Sequence, residues 1–279
     1  MHEQFSVLMP VHYKDDPKHL KESLLSIYDN QTLKPSEIVI IADGPLPLLL
    51  ERIILDFKSK IKDKISFNYY VLPENKGLAF ALNEGLRLCR NEWVARMDAD
   101  DISRYHRFEK QWRFIVNNPQ IDIIGGYILE FDEKMKKKIG IRKVPVCNED
   151  IITFAKYRSP FNHMTVMYKR NKILSIGGYP VDLKKMQDYA LWCKAIVSGL
   201  KMANLPTVLV DVRAGRSFIR RRKGITYLKY ELLLQRHLRK IGFWSRKDFL
   251  MYGIPRVLLR LLPEGALETL YFKFLRGKG

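Results

Sequence analysis

With 279 residues, 47% hydrophobic and 28% charged, the chain is long enough for one large domain or a domain with an appendage, and too apolar to stay disordered. The net charge of +19 is uneven: from Arg213 to the end there are 17 Lys and Arg against 4 Asp and Glu, so this last quarter carries +13 of it. That field attracts nucleic acid, anionic lipid or phosphorylated substrates without choosing among them, while three scattered cysteines (Cys89, Cys147, Cys193) argue against a disulfide framework or a Cys-based metal site and suit a reducing compartment.

Residues 1–5 lack the basic stretch and apolar run of a signal peptide and lead straight into a strand. Residues 5–11 (FSVLMPV) and 38–42 (IVIIA) are short apolar runs of the kind that form buried strands, and residues 19–30 between them place Leu20, Leu24, Leu25, Ile27 and Tyr28 near helical spacing. This strand-helix-strand unit implies a parallel sheet with ligands at the carboxyl ends of its strands. Residues 66–72 read as a third strand, 78–89 as a helix, and 93–97 (WVARM) as a fourth strand running into Asp98-Ala99-Asp100-Asp101. Beyond it, 121–131 and 165–168 read as strands and 189–198 as a helix. Past Arg213 the pattern turns helical and basic, with 220–223 (RRRK) as its hinge. No run of about 18 apolar residues is present to span a bilayer.

The acidic cluster carries the first chemical signal. Alternation along an extended chain points Asp98 and Asp100 the same way, and two such carboxylates suit a hard divalent cation that also grips phosphate oxygens. A solvated acidic turn is the bland alternative, since short motifs recur by accident.

At these residues the sequence resembles the inverting family 2 glycosyltransferases. The match comprises a strand ending in Pro10-Val11, a second ending in Ala42-Asp43-Gly44, the run Asn75-Lys76-Gly77-Leu78-Ala79 with Asn83 and Gly85 downstream, and Met97-Asp98-Ala99-Asp100-Asp101. It continues through Gly177-Gly178-Tyr179 to Gln187-Asp188-Tyr189-Ala190-Leu191-Trp192, covering roughly residues 5–200. The resemblance implies a GT-A type α/β fold, a mixed sheet flanked by helices, over residues 1–212, followed by a basic helical C-terminal extension over 213–279.

The resemblance also implies roles. Pro10 and Val11 shape a wall beside a uracil ring whose N3–H is accepted by Asp43. Asn75, Lys76 and Gly77 lie by the donor, Asp98 and Ala99 by its ribose, and Asp100 with Asp98 holds Mn²⁺ or Mg²⁺ on the diphosphate. Asp101 shares that duty or orients a neighbour. Asp188 is the general base; Gln187 stands where the family often has Glu, so the role rests on Asp188 alone, with a helix N-cap as its structural alternative. His163 would touch acceptor or diphosphate, or be structural; Arg213 and Arg216 follow the last core strand and would reach the diphosphate, or be plain surface arginines. The implied reaction is inverting transfer of a sugar, UDP-galactose being the favoured donor, to a saccharide on a polyprenyl diphosphate in surface-polysaccharide biosynthesis. The QxxRW string of processive members is absent.

In the tail, residues 255–262 set Arg256 and Arg260 four apart among leucines, and 264–276 repeat an apolar stripe. Such helices either lie in an anionic membrane surface or cap the core. The first option places the protein in the cytoplasm, peripheral on the inner face of the inner membrane. Three rivals lack their signatures. A nucleotidyltransferase wants a Gly-rich loop after the first strand, a dehydrogenase wants GxGxxG there, and a nucleic-acid binder wants aromatics interleaved with its basic run. No nucleic acid partner is expected.

Overall fold

A computed structural model describes residues 4–214 and 225–261. One nine-stranded sheet organises the chain. Strands β1 (Phe5–Val11), β2 (Glu37–Ala42), β3 (Ser66–Val71) and β4 (Trp93–Arg96) are parallel, in the order β3-β2-β1-β4. The sheet then continues through β8 (Met167–Lys169), antiparallel to both β4 and β6, to β6 (Ile123–Phe131), β9 (Met202–Arg213) and β5 (Ile102–Ser103), while β7 (Lys138–Arg142) pairs with β6. The sheet is mixed, as expected.

Every residue of β1 and β2 is buried, which explains runs with no polar alternation: both faces are covered. On one face Leu20 and Leu24 of α1 (Pro17–Ile27) and Leu50 and Ile54 of α2 (Leu48–Ile61) meet Val7, Met9, Ile38 and Ile40. On the other, Leu82 and Leu86 of α3 (Leu78–Leu88), Ile173 of α6 (Arg170–Ser175), and Leu191 and Trp192 of α7 (Gln187–Val197) meet Leu8, Val39 and Ile41. Helices α4 (Arg107–Asn117) and α5 (Asn148–Ala155) complete the body. Asp16 caps α1, accepting from the amides of Lys18 at 2.9 Å and His19 at 3.1 Å, and Pro17 occupies its first turn.

Two boundaries differ from the sequence reading. Residues 163–165 form a 3₁₀ turn before β8, because the Thr165 hydroxyl bonds back to the Asn162 carbonyl at 2.7 Å, a local alternative to the sheet ladder. Strand β9, implied as the last core strand before Arg213, was given no bounds. Pro206 lacks an N–H, and the parallel pairing with β6 skips residues 206–207, passing from Leu205 opposite Gly126 to Val208 opposite Tyr127.

The C-terminal region packs on the body. Leu234 and Leu238 of α8 (Ile225–Lys240), with Phe243 and Trp244, form a third core with Tyr189, Ala190 and Cys193 of α7. After α9 (Arg246–Asp248) and a π-helical turn (Phe249–Gly253) comes α10 (Ile254–Leu261). Here the sequence reading needs correction. Arg256 faces inward: its Nε donates to Glu231 Oε1 at 2.6 Å, and its guanidinium stacks on Tyr189 and Trp244. What faces out is apolar: Leu250, Met251, Ile254 and Leu258. Residues 216, 220–223 and 264–276 lie outside the described residues. Among the described residues no helix is long and apolar enough to cross a membrane.

Candidate active site

The carboxyl ends of β1, β2 and β4 converge on one edge. Strand β2 ends in Asp43-Gly44, with Gly44 at φ +93°, where an added Cβ would lie 2.8 Å from the Asn75 nitrogen. The absent side chain lets the β3–α3 loop close over β2. Asp43, 5% exposed, ties that loop down: Oδ1 accepts from the amides of Lys76 at 2.8 Å and Gly77 at 3.1 Å. Helix α3 has no side-chain cap, so Asp43 also satisfies free donors at its N-terminus. Asn75 and Lys76 are exposed on the loop, Lys76 beside Glu74 at 3.6 Å. Pro10, Val11 and Ala99 are buried, and the side chains of Val11 and Ala99 belong to the core below the edge.

Asp98, Asp100 and Asp101 follow β4, each with a carboxylate oxygen within 4.8 Å of the others. They differ in commitment. Asp98 takes both guanidinium nitrogens of fully buried Arg96 in a bidentate pair. Asp101 is buried, and Arg213 donates its amide to Asp101 Oδ1 at 3.2 Å. Asp100 reaches solvent. The Arg213 guanidinium donates to the Asp100 carbonyl and to Glu22, locking the turn to α1 from the end of β9.

The cluster is short of positive charge. Loss of solvation, then the Asp98 charge, holds Asp100 above the ordinary carboxylate range; burial, then Asp100 and Asp98, lifts Asp101 well above it. Asp15, in the loop after β1, is pushed up to about 6 by burial, and the charges of Asp100 and Asp98 add to the shift. Three carboxylates within mutual reach, two of them unwilling to ionise without compensation, fit a hard divalent cation.

Behind the cluster lies a cationic and aromatic wall. Arg107 donates to the Arg96 carbonyl at 2.7 Å, and burial followed by the Arg96 charge lowers its guanidinium to about 9. His163 Nε2 meets the Tyr179 hydroxyl at 2.8 Å; burial first, and then Arg96, depresses the imidazole well below its usual value, so it is neutral. Tyr179 in turn bonds Asn83 twice: Asn83 Nδ2 donates to the Tyr179 carbonyl and the Tyr179 amide to Asn83 Oδ1, both at 2.8 Å. Gly178 stands at φ +64°, and a Cβ there would collide with Asn83 Oδ1.

Asp188 lies in the first turn of α7. The cap of that helix is Met186, at φ 61° and without a side-chain cap bond, so Asp188 is not the N-cap. Among the described residues no donor or cation pairs with the Asp188 carboxylate, which is half-buried, and its charge acts on Tyr179. Gln187 beside it is buried. The structure therefore joins Asp43 to the Asn75–Gly77 loop, groups Asp98, Asp100 and Asp101, and sets His163 on Tyr179 with the charges of Arg96 and Asp188 acting on that wall, while Pro10, Val11 and Ala99 are buried. Arg96, Arg107 and Asp15 were missed. An arginine inside the apolar run WVARM was the available signal, since a buried guanidinium requires a nearby carboxylate.

A parallel half-sheet, an acidic turn at its carboxyl edge and a carboxylate at a facing helix start define a GT-A type transferase. Glycosyl transferase family 2 matches residues 6–177, and the chain belongs to that family; it is a glycosyltransferase. It is similar to the UDP-Gal:alpha-D-GlcNAc-diphosphoundecaprenol beta-1,3-galactosyltransferase of Escherichia coli, 38% identical over 98% of this chain and 97% of that one. It is likewise similar to the amylovoran biosynthesis glycosyltransferase AmsE of Erwinia amylovora, 37% identical over 98% of this chain and all of that one (100%). Among solved structures, S. aureus TarS 1-349 with UDP-GlcNAc aligns at TM-score 0.65 and 17% identity, over 98% of this chain and 73% of that one. The mannosyltransferase PcManGT of Pyrobaculum calidifontis, with GDP-Man and Mn2+, aligns at 0.63 and 17%, over 95% and 72%. These two bear on the fold.

Proposed function

We propose that this protein transfers a sugar, galactose in our reading, from a UDP-sugar to a saccharide on a polyprenyl diphosphate, with inversion, in surface-polysaccharide assembly. The observation that carries the reading is the pairing of the acidic turn after β4 with an uncommitted carboxylate, Asp188, at the start of α7. Asp43 keeps lone pairs beyond its loop contacts and accepts the uracil N3–H. The exposed loop at Asn75–Gly77 and the start of α3 flank the donor. Asp100, with Asp98, would hold Mg²⁺ or Mn²⁺. When bound, that ion neutralises charge on the departing diphosphate. Asp188 takes the proton of the acceptor hydroxyl as that oxygen attacks the anomeric carbon opposite UDP. One displacement inverts the centre. His163, neutral and bonded to Tyr179, orients the wall between donor and base.

The relative's named acceptor, a sugar on diphosphoundecaprenol, supports the lipid-linked reading here. The outward Leu250, Met251, Ile254 and Leu258 support docking on the inner face of the inner membrane from the cytoplasm. A panel of UDP- and GDP-sugars, with released nucleotide as readout, lipid-diphosphate GlcNAc as acceptor and Mn²⁺ present or removed by chelator, tests the reaction. Turnover with UDP-galactose that Asp100→Ala abolishes is the expected result; metal-independent turnover, or preference for a GDP donor, overturns it.

A further inference from the structure

A groove of about 880 Å³ runs between the outer face of α3, the Gly177–Leu183 turn, α7 and α8, and the donor-site residues do not account for it. Its size is that of a ligand site. Lys194 enters from α7, and Arg236 and Lys240 stand one turn apart on α8. Among the described residues no carboxylate pairs with any of the three. His237 Nε2 is buried there without a hydrogen-bond partner, close enough to Asp182, Lys194 and Lys240 for all three charges to act on it. Two carboxylates also line the groove, Glu84, which is held by Arg87, and Asp182, so the cations outnumber the uncommitted acid. Beside these cations the lining is apolar: Val181 is 60% exposed and Leu233 45%. Such a surface is costly unless something covers it. The groove abuts the active site through Tyr179, which lines it while its hydroxyl bonds His163.

Three unpaired cations against one uncommitted carboxylate, with an adjoining apolar floor, match a diphosphate joined to a hydrocarbon chain. We infer that this groove receives the diphosphate and first isoprenoid units of the acceptor, Lys194, Arg236 and Lys240 gripping the phosphates and Leu233 and Val181 the chain. The inference rests on the lipid-linked reading above and adds its place on the molecule. An anionic polymer would use the cations and leave the apolar floor bare.

The test measures binding of farnesyl diphosphate to the full chain with UDP and Mn²⁺ saturating, with farnesol and inorganic diphosphate as separate arms, in wild type and in Lys194→Gln/Lys240→Gln. Melting and UDP affinity verify the variant's fold. Wild type should bind farnesyl diphosphate more tightly than either arm, and the variant about thirtyfold more weakly, two cations being lost at roughly 1 kcal/mol each. The variant's KM for lipid-diphosphate acceptor should rise similarly, with KM unchanged for the same sugar on a short uncharged aglycone. Absent binding, equal binding by the variant, or equal loss on both acceptors overturns the groove. Wild type that ignores the lipid-diphosphate acceptor yet uses the uncharged one overturns the lipid-linked reading itself. Wild type that uses both, with the variant indistinguishable from it, removes only the groove.

Discussion

Replacing Asp188 by Asn separates chemistry from structure unusually well. The carboxylate has no partner among the described residues, and the cap of α7 is Met186, so the substitution breaks no bond that holds the fold. What it forfeits structurally is a negative charge in the first turn of a helix, worth about 0.3–1 kcal/mol, or a few degrees at most in melting temperature for a chain of this size. Removing a general base costs roughly 10²–10⁴ in rate, about 3–5 kcal/mol of barrier, several times the structural term. The assay is UDP release with lipid-diphosphate GlcNAc as acceptor, alongside calorimetric UDP and Mn²⁺ titrations and a thermal melt. A fall of at least a hundredfold in kcat, with nucleotide affinity and melting nearly unchanged, is expected. Activity within tenfold of wild type would place the base elsewhere and refute the reasoning.

Asp15 predicts a pH effect. Its carboxyl titrates near 6 in the folded protein against 3.8 when free, so the native state holds its proton more tightly, and metal-free stability falls as pH rises from about 4 to 6. Asp15→Asn keeps an acceptor for the His12 amide, 2.8 Å away, and should raise the metal-free melting temperature at pH 7.5 by a few degrees, about 1–2 kcal/mol after solvent screening, with little gain at pH 4. A gain equal at both pH values would refute it. Gly178→Ala, at φ +64° and against Asn83, should cost about 2–3 kcal/mol on thermal unfolding and reduce transfer, whereas an unchanged melt would show that the turn yields. Changing Leu250, Met251, Ile254 and Leu258 together to Ser should release the protein from vesicles of anionic phospholipid in a sedimentation assay without lowering the melting temperature; retained binding would move the docking surface elsewhere.

The parallel half of the fold was legible because its strands are fully buried and each ends at a residue with a reason to be there. Gly44 must lack a side chain where the Asn75 backbone approaches, and Asp43 must offer two oxygens to a loop of amides. The antiparallel half was harder to read. Strand β9 is interrupted by Pro206, where its pairing with β6 shifts register. In the parallel half only α2 was hard to read, because it opens on Leu48 and Leu49, which are exposed, so its apolar run disguises its face. Short-range pattern located the acidic turn at Asp98–Asp101 and a helix beginning near Asp188. Arg96 and Arg107 escaped because their meaning depends on partners supplied by folding: Asp98 for the first, a backbone carbonyl for the second. Arg256 misled for the same reason, since four-residue spacing reveals a common face and leaves its direction open.

The docking of α8 and α10 on α7 has a mechanical consequence. Through Leu234, Leu238 and the Arg256–Glu231 pair, the apolar outer face and the helix bearing Asp188 are packed together. Seated on a bilayer by that face, Asp188 would stand at a set height above the headgroups. Reach would then become a yardstick: an acceptor whose sugar chain is one unit too long or too short presents the wrong hydroxyl at that level, and chain length would be read by geometry as well as by contact.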